Sequence, residues 1–101
     1  MLRITTQKSD TAIEIKLEGR VAGPWVAEIS RVWMETAPQL DSRKLLLDLR
    51  EVTYLDAGGK KVLSDINAQT GAQLIVSTPW TQYLADEIRA TKSSDEGEGA
   101  E

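Results

Sequence analysis

The residues best equipped for chemistry sit in one short stretch. YLDAGGKKVLSDI, residues 54 to 66, carries Asp56, adjacent Gly58 and Gly59, and adjacent Lys60 and Lys61. Asp48 lies upstream, inside an apolar run. Two carboxylates with a lysine in reach can move a proton or hold a hard divalent cation. No neighbouring residue marks the third ligand or the nucleophile such a site needs. Without that constellation the two aspartates read instead as one helix cap and one buffered strand residue. Histidine and cysteine are both absent, which excludes imidazole acid–base work, thiol nucleophiles, disulfides and the usual zinc sites. The expectation is a chain with no catalytic residues, no metal ligands and no cofactor.

GGKK also invites comparison with a phosphate cradle. A P-loop requires a glycine where Tyr54 stands and a Ser or Thr where Lys61 stands. A dinucleotide fingerprint fails on spacing as well. A helix N-terminus can attract an anion, but Asp56 would repel it.

Two glycines opening a helix need a reason, because together they cost about 1–2 kcal/mol of helix stability relative to alanine. Asp56 is a natural N-cap for that helix. The partner in a capping box would be Glu or Gln three residues on, and Gly59 stands there instead. Gly59 falls on an apolar stripe with Val62, Leu63 and Ile66, where a side chain would collide with a sheet. Gly58 is one step round the helix and has no such reason. It points to a backbone left bare for a partner, or to a turn that requires positive φ.

The surrounding elements follow from periodicity. LRITTQ (2–7) and AIEIKLE (12–18) alternate apolar and polar residues, and the short polar link between them predicts an antiparallel hairpin. Pro24 suits the first turn of a helix. Its apolar stripe is Trp25, Val26, Ile29, Val32, Trp33, Ala37 and Leu40, with Pro38 ending the regular part. LLLDL (45–49) reads as a central strand. Gly71 stops the helix that Asp56 begins, AQLIVS (72–77) is a further strand, and STP (77–79) caps a last helix. Trp80, Leu84 and Ile88 form its stripe, which ends near Lys92.

The order is β-β-α-β-α-β-α. One face of the strands collects Leu2, Ile4, Ile13, Ile15, Leu17, Leu45, Leu47, Leu49, Leu74 and Val76. The other collects Arg3, Thr5, Glu14, Lys16, Glu18, Asp48 and Arg50, with only Leu46 and Ile75 apolar among them. The pattern predicts a two-layer α/β fold, with helices on one face of a mixed four-stranded sheet and the other face largely wet.

The 101 residues suit one domain, with 41% hydrophobic and 28% charged residues. That domain is expected over 1–92. Residues 93–101, SSDEGEGAE, form an acidic tail expected to stay disordered. Without its four acids, the 16 Asp and Glu fall to 12 against 12 Lys and Arg. The domain is thus formally neutral, with no basic surface for nucleic acid. No apolar run has the length of a membrane span and none has a signal-peptide flank, so the expected location is the cytoplasm without direct membrane insertion.

KLLLDLREVTYLDAGGKKVL resembles the core signature of STAS domains, the family named for sulfate transporters and anti-sigma-factor antagonists. Asp48, Leu49, Val52, Leu55, Asp56 and Gly59 match it. LEGRV (17–21) is similar to the end of the family's second strand, and GAQLIVS (71–77) to its last central strand. The resemblance covers about residues 1–91.

It implies a bacterial signalling module of transcription regulation, whose partner is an anti-sigma factor of the kinase-like kind. In that branch the loop carries a Ser or Thr that the partner phosphorylates. Here the loop reads Asp56-Ala57-Gly58-Gly59, so both hydroxyl positions are vacant and no phosphorylation site is expected. The resemblance therefore implies a loop-centred binding surface without the phosphoswitch. The expected partner-binding residues are Asp56, Ala57, Gly58, Gly59, Lys60, Lys61 and Ser64, with Ala57, Lys60, Lys61 and Ser64 on the exposed side of the helix. An alternative within the family is an accessory subunit of a membrane transporter of lipids or anions. A nucleotide or small-ligand binder is the more distant alternative.

Overall fold

A computed structural model describes residues 2–90. The expected boundary at residue 92, the end of the last helix near Lys92 and the acidic tail 93–101 lie outside the described residues.

β1 (Leu2–Lys8) and β2 (Ala12–Val21) form the expected antiparallel hairpin. α1 (Trp25–Leu40), β3 (Lys44–Leu55), α2 (Ala57–Thr70), β4 (Gln73–Ile75) and α3 (Pro79–Ala90) follow. The sheet order is β1-β2-β3-β4, with β3 parallel to both β2 and β4. This is the α/β fold read from the sequence, in the same element order.

One core holds the fold together. Ile13, Ile15, Leu17, Leu45, Leu47, Leu49 and Leu74 are buried from the sheet, against Ile29, Leu63, Ile66, Leu84 and Ile88 from the three helices. Complete burial of such side chains is worth about 1.5–3 kcal/mol each. On the opposite parity Arg3, Thr5 and Arg50 are exposed and Glu14, Lys16, Glu18, Leu46 and Ile75 are half-buried. Asp48 departs from that pattern: its side chain is wholly buried. Arg50 folds back over it, with Nη2 donating to Oδ2 at 2.8 Å and Nε to Oδ1 at 3.0 Å.

β3 is longer than LLLDL. Its register against β2 slips twice, after the Lys16–Asp48 pair and again before Arg20–Tyr54. Each slip adds one residue to β3. The buried positions therefore run Leu49 and Val52 with Leu55 half-buried, and a three-residue step is not a strand period.

Three further expectations are corrected. Pro38 lies inside α1, which continues to Leu40. Trp25 and Trp80, read as core stripe residues, are exposed, and only Trp33 packs against the core. The buried positions of α3 are Thr81, Leu84, Ala85 and Ile88. Thr81 caps the helix with Thr78: each hydroxyl accepts the other's backbone N–H, at 2.9 and 3.1 Å. That is a capping box with threonine in place of Glu.

Candidate protein-docking corner

The corner is built by Asp56. Its backbone N–H donates to the carbonyl of Val21 at 3.0 Å, which ties the end of β3 to the end of β2. Its carboxylate then serves two loops. Oδ1 accepts from the Gly59 N–H at 2.7 Å, capping α2. Oδ2 accepts from the Gly23 N–H at 3.0 Å, in the loop before α1. The Gly59 and Gly23 bonds hold its carboxyl below the ordinary carboxylate value, against a smaller opposing effect of burial. Gly23 has φ of 59°, a backbone region open to glycine at no cost.

The two glycines of α2 separate cleanly. A Cβ on Gly59 would lie 2.6 Å from Val21 Cγ1, 2.9 Å from the Val21 carbonyl oxygen and 3.0 Å from Leu55 Cδ1. Helix and sheet approach too closely there for any side chain, as its place on the apolar stripe implies. A Cβ on Gly58 would meet Asp56 Oδ1 at 3.6 Å and Val26 at 4.0 Å, ordinary contacts. Gly58 is exposed and does not have positive φ. Neither packing nor backbone conformation requires a glycine there.

The expected site residues do not all share one surface. Ala57, Gly58 and Lys61 are exposed, Asp56 is half-buried and Gly59 is buried. Ser64, expected on the exposed side of α2, is 3% exposed. Lys60 is half-buried and its Nζ lies 3.0 Å from Glu87 of α3. Residues 60 and 64 share one flank of the helix, and α3 covers that flank. Lys61 pairs with Asp65 at 3.3 Å, as its spacing implied.

The catalytic arrangement weighed for Asp48, Asp56 and Lys60 is not assembled. Asp48 is held in the ion pair with Arg50 on the helix-free face, Asp56 caps α2, and Lys60 turns to Glu87. The Asp48 carboxyl is lowered chiefly by the Arg50 side-chain hydrogen bonds, with burial acting the other way.

Sequence reasoning missed the second loop. Gly23, Pro24 and Trp25 are exposed and are joined to the corner through the Gly23–Asp56 bond. The glycine before Pro24 was the available signal. No family model matches the chain, and no curated protein matches it. No helix among the described residues is long and apolar enough to cross a membrane.

Proposed function

We propose that this chain is a non-catalytic protein-interaction module of STAS type. It acts in bacterial regulation, as an anti-sigma-factor antagonist does, but without a phospho-acceptor in its loop. The partner is another protein, and it docks on the corner formed by Asp56, Ala57, Gly58 and Lys61, with Gly23–Trp25 alongside. Gly59 shapes that corner from beneath. Lys60 turns to Glu87 of α3 and Ser64 is buried, so this reading centres the contact on the exposed residues of the corner.

The observation that carries this reading is Gly58. The fold tolerates a side chain at this exposed helical position, and glycine weakens the helix there. Close approach by another macromolecule accounts for the missing side chain. The loop segment 56–60 contains no hydroxyl, so docking is constitutive or set by partner abundance.

The test is affinity capture from the native cell with wild type and Gly58→Arg side by side. A Cβ at this exposed position meets only ordinary contacts, so the variant is expected to fold. The proposal expects a specific partner on the wild type that is lost from the variant. Equal capture by both places docking elsewhere.

A further inference from the structure

The two sides of the sheet are guarded unequally. At one side β4 is only three residues long. β3 beyond it is closed by side chains: the Trp80 indole N–H donates to the Val52 carbonyl at 3.2 Å, and the Asp48 carboxylate accepts from the Arg50 N–H at 3.0 Å. Short edge strands and covered backbone keep a sheet from pairing with another chain. At the other side β1 has no strand beyond it among the described residues. It runs seven residues against β2 in an unbroken register, without proline or bulge.

The hairpin fixes which backbone groups of β1 face outward. The Ser9 N–H donates to the Ala12 carbonyl at 2.8 Å, and bonded pairs alternate along an antiparallel ladder. Gln7, Thr5 and Arg3 therefore bond to β2, and Leu2, Ile4, Thr6 and Lys8 present their N–H and C=O groups to the open side. Their side chains share the helix face, where Ile4 is half-buried and Thr6 and Lys8 are exposed, so the helices leave this end of the strand uncovered. Lys8, the charged residue of that row, turns its Nζ to the Gln39 side chain of α1.

We propose that β1 pairs antiparallel with β1 of a second copy of this chain, about a two-fold axis at Thr5. The strand's own sequence argues for that occupant. The register centred on Thr5 pairs Leu2 with Lys8 and Ile4 with Thr6 over the whole strand, whereas an axis at Ile4 or Thr6 leaves one end unpaired. It is also complementary in charge. On the helix-free face Arg3 falls opposite Gln7 of the second copy, whose neighbour in β2 is Glu14. Two strand spacings, about 10 Å, separate the Arg3 and Glu14 backbones. Their extended side chains close that span, and the symmetry makes the pair twice. An axis at Ile4 would instead bring Arg3 toward Lys16 of the second copy. At the Thr5 axis threonine meets threonine, a favourable cross-strand pair, and Ile4 is covered by Thr6. The sheet then runs continuously through both copies. This inference does not depend on the corner at Gly58.

The test is sedimentation of the full chain over a concentration series, with amide exchange followed residue by residue by NMR. The seam is one strand wide, so a reversible dimer is expected. As it fills, the Ile4, Thr6 and Lys8 amides should slow by about tenfold or more, and the Thr5 and Gln7 amides, already bonded to β2, by several-fold less. Thr6→Pro removes an outward donor and no bond to β2, a place where an edge strand tolerates proline, and should weaken the dimer by about tenfold or more. Thr5→Glu sets two like charges opposite each other at the axis, with Lys16 of its own chain beside each, and should weaken the dimer by about threefold or more. Should the proline variant fail to fold, the glutamate variant decides alone. A chain still monomeric at about 0.5 mM, where even a weak specific contact shows, overturns the proposal. So does a dimer that survives both variants, or one that forms without slowing the Ile4, Thr6 and Lys8 amides. Loss with Thr6→Pro but not with Thr5→Glu overturns the axis at Thr5.

Discussion

At the scale of single residues, Gly58 and Gly59 look alike in the sequence and differ in the structure by what surrounds them. Gly59→Ala forces a methyl to within 2.6 Å of Val21, and urea unfolding should show a loss of about 1–3 kcal/mol, as in other overpacked sites. Gly58→Ala places its methyl in open contact and should raise stability by about 0.5–1 kcal/mol in the same assay. A loss from both would mean that Gly58 too is a packing residue, and the argument for a docked partner would fail with it. Asp56→Ala removes the cap on α2 and should cost about 1–2 kcal/mol. Its hydrogen-exchange signature should include the Gly23 amide, which loses its acceptor. The cap was legible because residue type and position in a helix start are local information. The bond to Gly23 was not, because it joins residues 33 apart in the chain, and nothing local marks that contact.

At the scale of elements, the sequence showed which residues alternate and missed where a neighbour covers a flank. The α2 stripe of Gly59, Val62, Leu63 and Ile66 was legible from its spacing. Ser64 was misjudged because it lies on the flank where Lys60 meets Glu87 of α3, and α2 alone does not announce that neighbour. Ser64→Asp therefore puts a charge into a covered site. It should lower the urea midpoint by an amount equivalent to about 2 kcal/mol or more, whereas Lys61→Ala on the exposed flank should change it by less than about 0.5 kcal/mol. Equal, small effects would contradict the packing of α3 over that flank. β3 was cut short for a different reason. The run REVTYL buries residues at three-residue steps because two extra residues are accommodated against β2, and a search for strict alternation stops at the first of them. Trp80 was misplaced because the buried face of α3 is set by Thr81, Leu84, Ala85 and Ile88, and a threonine in that face does not register as core.

At the scale of the whole molecule, two carboxylates link the fold to pH. Asp48 and Asp56 are both held below the ordinary value of 3.8 in the folded chain. Their contribution is present above that value and is lost as pH falls through the lower folded-state values. Stability should be nearly flat from about pH 8 to pH 5 and fall below about pH 4. Asp48→Asn and Asp56→Asn should each make the acid limb shallower, and an unchanged limb in both variants would show that other groups control it. The element order and the two-layer arrangement were legible because each element announces its own apolar face. The corner proposed for docking was partly legible: Asp56 and the glycines mark it. The position of Gly23–Trp25 beside it emerges only when β2 and β3 are side by side.

The most direct measurement is a hydrogen-exchange footprint of the complex formed with the captured partner, compared with the free protein. The account predicts slowed exchange at residues 56–61, with protection extending to 23–25 and absent when Gly58→Arg is used. A stable complex whose footprint leaves 56–61 unchanged would contradict it.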